Sequence, residues 1–367
     1  MTINYITYDS WWDTDVTVIP LLLKGFKINV FCLDPYEDKK YPNKSVPDGV
    51  NLNLMIQKYR DRDIRSLGVA IYFFFKCLKA LRNKDSITFF IPGKNPWLLL
   101  LMLLFLPKER TIISSHNYVE HGDRKNIGAS ITDKVKIKFY KHFKYFHFFS
   151  QYQKNLFQRD YPEKLSLVTE MPLKDYGKAN VKARIDSDIH LLFFGLVRDY
   201  KRLDWLIDAV KKVGSDKIKV TIAGNASKGD IAKYTKLMDN DKCFETHFGF
   251  VANEDIPQYF ADADFLVLPY ESATQSGPSL IAINYGIPII ASDVTAFKSL
   301  INDNENGFLF PKNSLEDFTK LIKKVSSLSR PQIDEMKRNQ LKFKESYRKS
   351  NDIFSRFSVF IKNSVFK

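Results

Sequence analysis

The stretch from Asp264 to Ser292, DFLVLPYESATQSGPSLIAINYGIPIIAS, constrains the fold more than any other part of the chain. Phe265 to Leu268 is an apolar run short enough for a fully buried strand. Thr274, Gln275, Ser276 and Gly277 make a small polar loop, and Pro278 stands at a favoured first helical position. Leu280, Ile281 and Ile283 carry a helix onward, and Gly286 can stop it in a left-handed cap. Ile287 to Ala291 is again wholly apolar, as a parallel strand covered on both faces should be. A strand, a polar loop and a helix N-terminus together make an anion site, because free backbone N–H groups and the helix dipole both favour negative charge. Gly277 would let a phosphate approach the backbone. The same spacing also describes an ordinary strand-to-helix turn capped by Ser276.

The neighbourhood repeats the pattern. Leu191–Phe194 reads as a strand, Leu203–Val213 as a helix, and Lys219–Ala223 as a strand ending at Gly224-Asn225. Phe244–Phe248 follows, then a helix at Ile256–Ala261 with Asn253 as its expected cap. Ser314 and Asp317 form a capping-box pattern before Phe318–Val325. Upstream, Ile3–Thr7 and Lys27–Leu33 are strands around a helix at Thr17–Leu23, and a long aromatic-rich helix spans Ile64–Leu81 before the strand Ile87–Ile91. Such alternation specifies parallel sheets with helices on both faces, and 367 residues suffice for two such domains. The polar run Lys174–Asp188 is the expected linker, and a cleft between the two sheets is the expected site.

Three segments of the first half bear on function. The turn after the first strand, Tyr8 to Asp13, holds no glycine, so it lacks the dinucleotide fingerprint and should not hold a nucleotide. Leu98–Leu106 is apolar all round, which fits a buried helix or one dipping into a lipid surface. Thr111–Ser114 delivers His116, Asn117, Glu120 and His121 to a strand's carboxyl end, where ligands of open α/β sheets bind. Further on, Lys134, Lys136, Lys138, Lys141 and Lys144 alternate with Val135, Ile137, Phe139, Tyr140 and Phe143 before the strand Tyr145–Phe149. This basic amphipathic helix either lies on anionic lipid or packs an apolar stripe under a solvated face.

Composition excludes several classes. The first 180 residues hold 28 Lys and Arg against 18 Asp and Glu, much of the net +14, which suggests an anionic partner. No zinc-finger, basic-zipper or RNA-recognition signature accompanies that charge, so nucleic acid is not expected. Cys32, Cys77 and Cys243 are too few and too scattered for a disulfide framework or a zinc site. The start lacks a signal-peptide pattern, and the longest apolar run, Trp97–Leu106, falls short of the roughly 17–25 residues that span a bilayer. A cytoplasmic protein with no membrane span is the expectation.

The loop Gly195-Leu196-Val197-Arg198-Asp199-Tyr200-Lys201-Arg202 links a strand to a helix and brings Arg198 and Lys201 to the same edge as the Thr274–Gly277 loop. Two cations and a helix N-terminus can neutralise a diphosphate leaving group. With these residues the second half resembles the nucleotide-sugar domain of glycosyltransferase family 4, the group 1 glycosyltransferases of the two-Rossmann GT-B fold. FFGLVRDYKRLDWLIDAV, VTIAGN, HFGFVANEDIPQYFADADFLVLPY, ATQSG, NYGIPIIASDV and ENGFLF carry the resemblance over about residues 190–325, and SSHNYVEHG is similar to the family's acceptor-side histidine loop.

The resemblance implies that Arg198 and Lys201 grip the donor diphosphate, and Gly195, Asn225 and Tyr270 are further expected substrate contacts. It puts Phe250 and Val251 at the nucleobase, Thr274, Gln275, Ser276 and Gly277 at the phosphates, and His116, with Asn117 and His121, at the transferred sugar. The family's two glutamates, eight positions apart, fall at Ala273 and Ile281 here, and its glycine pair after the next strand at Thr295 and Ala296. Glu271 either takes over a sugar or ribose hydroxyl contact or is a charge on the rim. None of the Asp-x-Asp pairs, Asp262/Asp264 included, reads as a metal site, and no cofactor is expected.

The expected arrangement is α/β, GT-B: an acceptor-side Rossmann-like domain over 1–177, a nucleotide-sugar domain over 178–340, and a C-terminal helix over 341–367 packing back toward the first domain. The implied function is metal-independent, retaining transfer of a hexose-type sugar from a UDP- or GDP-linked donor to a polyprenyl-linked oligosaccharide. The setting would be capsule or O-antigen assembly at an anionic membrane surface. The alternatives are a non-catalytic nucleotide- or glycan-binding member of the fold, or a nucleotide-sugar epimerase.

Overall fold

A computed structural model describes residues 1–8, 12–35, 47–57, 59–61, 63–115, 118, 131–179, 188–214 and 216–365. The chain divides into two compact units, Met1–Pro172 with Asn351–Lys367, and Leu173–Ser350. The first division thus falls five residues before the expected boundary after Gly177. The expected break at 341 lies inside a helix that belongs entirely to the second unit.

The first unit runs β1 (Thr2–Tyr8), α1 (Trp12–Leu22), β2 (Lys27–Pro35), β3 (Asn51–Gln57), α2 (Arg65–Arg82), β4 (Ser86–Phe90), α3 (Pro96–Phe105), β5 (Thr111–Ser115), α4 (Ile131–His142), β6 (Tyr145–Phe148), α5 (Gln151–Asp160) and β7 (Leu165–Val168). Its seven strands are all parallel, in the order β3-β2-β1-β4-β5-β6-β7. β4, β5 and β6 are buried along their whole length, as continuous apolar runs between two helical layers must be. Asn95 caps α3 by accepting from the N–H groups of Trp97 and Leu98, with Pro96 in the first turn.

Two readings of this unit are settled by burial. The apolar stripe of α4, Val135, Phe139 and Tyr140 with Phe143 beyond its end, is in the core, and Lys134, Lys138, Lys141 and His142 are exposed. In α3, Leu98, Leu99 and Met102 are buried, whereas Leu104 and Phe105 are exposed. The all-apolar segment is therefore a core helix with an uncovered end.

The second unit runs β8 (Ile189–Phe194), α6 (Leu203–Val213), β9 (Ile218–Gly224), α7 (Lys228–Met238), β10 (Phe244–Phe248), α8 (Ile256–Ala261), β11 (Phe265–Leu268), α9 (Gly277–Tyr285), β12 (Ile289–Ser292), α10 (Thr295–Lys298), β13 (Gly307–Phe310), α11 (Leu315–Ser326) and α12 (Arg330–Ser350). The sheet order is β10-β9-β8-β11-β12-β13, again wholly parallel. Asn253 does not cap α8: Asp255 is the cap residue and no side chain caps that helix. Ser314 does cap α11, accepting from the N–H of Asp317. After α12, α13 (Ile353–Phe360) returns to the first unit, where Phe357 packs on Phe89 and His147. Asn351 and Glu170 exchange hydrogen bonds of 2.7 and 2.9 Å, which pins the start of that return.

Asp264, at the foot of β11, is fully buried and holds α12 against the sheet. It accepts from Arg330 at 2.6 and 3.0 Å, from Lys337 at 3.0 Å and from the His190 N–H at 3.0 Å. Burial alone would raise its pKa; the Arg330 and Lys337 cations and the backbone N–H overcome that and hold it well below the usual carboxylate range. Removing the carboxylate leaves these donors without their acceptor, so Asp264→Ala should cost about 3 kcal/mol in chemical denaturation. Because the folded pKa is depressed, this contribution is present above the unfolded value near ~4 and lost as pH falls below it. The stability difference between wild type and variant should therefore shrink in acid.

Candidate functional site

β8 and β11 are neighbours, yet the chain leaves them toward opposite edges of the sheet, to β9 on one side and β12 on the other. Ligands of open parallel sheets bind at the carboxyl ends of strands at such a switch point. The loops there are residues 195–202 after β8 and 269–276 after β11. They are tied together: the Glu271 N–H donates to the Tyr200 carbonyl at 2.8 Å, and the Tyr200 and Tyr270 rings meet edge-on at 5.9 Å. Gly224 brings the end of β9 into the same place. A Cβ on it would lie 2.1 Å from the Gly195 oxygen, so only glycine permits this approach. Gly195 itself has φ +102°, and its N–H donates to the Ala223 carbonyl at 2.8 Å.

Lys201 is the centre of this arrangement. It is 7% exposed, its ammonium lies 5.2 Å from the centre of the Tyr270 ring, and among the described residues it has no carboxylate partner. The position of a Cβ on Gly195 would be 3.5 Å from the Lys201 Nζ and 3.4 Å from Pro278 Cγ, so the cation shares its space with the first turn of α9. Burial, and then the charge of Arg198, push its pKa down to about 8.

The N-terminus of α9 is built as the sequence suggested. Ser276 accepts from the Ser279 N–H, and the Ser279 hydroxyl donates to the Ser276 carbonyl at 2.7 Å. Gly286 ends the helix at φ +71°. The Gln275 Nε2 is buried without an acceptor, in the loop just before the helix. Lys174, also 7% exposed, comes to the same helix end: its Nζ would lie 3.8 Å from a Cβ on Gly277. Lys174 and Lys201 thus both come to the first turn of α9, where the helix dipole favours negative charge. Lys174 carries no sequence signal; it lies in a stretch that reads only as linker.

The remaining residues divide clearly. Arg198 is exposed and donates to the Val197 carbonyl at 3.0 Å. Arg202 is engaged by Asp204 and lies over Trp205, and the Asp199 carboxylate pairs with Lys233. Tyr270 is 2% exposed and packs on Phe297, so it underlies Lys201. Glu271 and Asn225 are exposed; Thr274 and Gln275 are half-buried. Phe250 is exposed and Val251 half-buried, both following β10. His116, Asn117, Glu120 and His121 lie outside the described residues. Among the described residues no cluster of three metal-capable side chains occurs. A cavity of about 490 Å³ lies among β8, β9, β10 and α8, lined by His190, Glu245, His247, Gln258 and Asp262, and none of the site residues above lines it.

Residues 188–327 match the family model described as Glycosyl transferases group 1. A 41.2 kDa protein of the cps region of Klebsiella pneumoniae is 26% identical over 163 residues, 44% of this chain and 43% of that protein. A GDP-mannose:glycolipid 4-beta-D-mannosyltransferase of Xanthomonas campestris is 23% identical over 121 residues, 33% of this chain and 35% of the relative. The chain thus aligns with less than half the length of these curated relatives. Among solved structures, sucrose-phosphate synthase of Thermosynechococcus elongatus superposes with a TM-score of 0.72, at 12% identity, over 99% of this chain and 98% of that one. HepE of Anabaena, solved with UDP and glucose, gives 0.67 at 13% identity over 99% of both chains. These likenesses establish the fold: two Rossmann-like parallel-sheet domains of the GT-B class.

The lowered pKa of Lys201 makes anion binding depend on pH. A bound diphosphate favours the ammonium and raises its pKa again, so binding takes up a proton between the free value near 8 and the bound value. Affinity for a nucleoside diphosphate should be greatest below pH 8 and fall by up to tenfold per unit above it. Lys201→Met should remove that slope. Calorimetry from pH 7 to 10 in buffers of different ionisation enthalpy reads both effects.

Proposed function

We propose, on the premise that residues 188–327 form a group 1 glycosyltransferase domain, that this chain transfers a hexose-type sugar from a UDP- or GDP-linked donor to a growing oligosaccharide. The observation that carries the reading is Lys201, a buried cation at the switch point and beside the α9 N-terminus, with no carboxylate partner among the described residues. Negative charge grows on the departing diphosphate, so a preorganised cation and helix dipole stabilise the transition state more than the ground state. Arg198 closes on the outer phosphate oxygens, and Lys174 adds a second inner cation. The backbone of Thr274–Gly277 holds the phosphates, the Phe250–Val251 segment meets the base, and Glu271 contacts a sugar or ribose hydroxyl. His116, with Asn117 and His121, faces the transferred sugar, and transfer retains anomeric configuration.

The acceptor is a polyprenyl-linked oligosaccharide at the cytoplasmic face of a membrane, in surface polysaccharide assembly. The cps-region relative and the glycolipid mannosyltransferase relative support that setting.

One observation favours a second reading, a non-catalytic nucleotide-binding member. Ile281, at the position of the family's ribose glutamate, is 4% exposed within the apolar core, so no carboxylate replaces it in place. Donor hydrolysis or transfer, assayed with UDP- and GDP-linked hexoses, separates the two. Because Lys201 and backbone amides meet the leaving-group charge, transfer should keep nearly its full rate in excess EDTA. Loss in EDTA with rescue by Mg²⁺ or Mn²⁺ contradicts metal independence, and absence of any turnover with every donor favours the second reading.

A further inference from the structure

We propose that the first unit docks on an anionic lipid bilayer through a crest formed by α2 and the uncovered end of α3, with flanking lysines as its charged rim. On α2, Tyr72 and Phe75 are 56% and 62% exposed; on α3, Leu104 and Phe105 are 72% and 58% exposed. The two groups are one patch, because Phe74 lies between them, with ring centres 5.2 Å from Phe105 and 6.2 Å from Phe75. Large exposed apolar side chains gathered in one place mark an interaction surface, since scattered single ones would need no explanation.

The surroundings identify the partner. Lys76 and Lys79 stand exposed on α2 beside Tyr72 and Phe75, with the Lys76 ammonium 5.2 Å from the Tyr72 ring centre. Lys108 follows α3, and burial, then the charges of Lys108 and Lys164, hold the pKa of His142 at the end of α4 below its ordinary value. Exposed Lys134, Lys138 and Lys141 continue the positive face along α4. Glu109 is the exposed carboxylate beside Lys108, and Glu163 pairs with Lys164 at 3.3 Å. An apolar crest with a lysine rim is what a lipid headgroup layer accommodates: rings and leucines enter the acyl boundary while the ammonium groups stay among phosphates. A second copy of the chain would bring like charges together across a two-fold axis. α3 is ten residues, about 15 Å, and among the described residues no helix is long and apolar enough to cross a membrane. The contact is a shallow insertion.

The test is co-sedimentation of the full chain with vesicles of phosphatidylcholine alone or containing phosphatidylglycerol, without donor or acceptor, so that it stands apart from the transferase reading. Wild type should bind the anionic vesicles, and less so as salt rises. Tyr72→Ser/Phe75→Ser/Phe105→Ser should weaken that binding at least tenfold at every salt concentration with its melting temperature kept, since these side chains leave no cavity. Lys76→Gln/Lys79→Gln/Lys108→Gln should weaken it mainly at low salt. Wild-type binding by the serine variant overturns the proposal, as does equal binding to neutral vesicles. A wild-type dimer that the serine variant turns into a monomer overturns it too, by assigning the crest to self-association.

Discussion

The ammonium of Lys201 is the feature on which the rest of the second unit converges. Burial, and then the charge of Arg198, lower its pKa from 10.5 to about 8. Among the described residues no carboxylate pairs with it. Instead three strand ends are drawn together around the cation: Gly195 after β8, Gly224 at the end of β9, and the Tyr270 loop after β11. A buried ammonium that stays charged at neutral pH marks a candidate anion site. Lys174, from a segment without regular structure, reaches the same helix end.

The scaffold that permits this is rigid at its opposite end. Asp264 joins β11, the start of β8 and α12 through four donors, so the strand that launches the 269–276 loop is fixed at its foot. Tyr285, at the end of α9, receives the Tyr176 N–H at 3.0 Å and donates to the Gly177 carbonyl at 2.9 Å. That anchors the segment carrying Lys174 along the same helix. The positions of both lysines therefore depend on α9, whose apolar residues are locked in the core.

Much of this is legible in the sequence. The buried parallel strands announce themselves as short apolar runs, and Ser276, Pro278 and Gly286 mark the two ends of α9. What escapes is what tertiary contact alone decides. β3 is an edge strand with Leu54 and Ile56 exposed, and α7 buries only Tyr234 and Met238, so neither shows a clear period. The stripe on α4 fits a lipid-facing helix as well as a core helix, and only its neighbours choose between them. Asp264 reads as half of an acidic pair until Arg330 and Lys337, more than sixty residues away, are seen to engage it. Lys174 reads as linker charge because nothing local distinguishes a solvated lysine from one placed at a helix end.

The central claim is that Lys201 grips phosphate and does nothing for the base. Affinities of UDP and of uridine, or of GDP and guanosine if the guanine donor is used, measured for wild type and Lys201→Ala at pH 7, test it most directly. The account predicts a loss of at least tenfold for the diphosphate, about 1.4 kcal/mol, with nucleoside affinity unchanged. Equal losses for both ligands, or none for either, would contradict it.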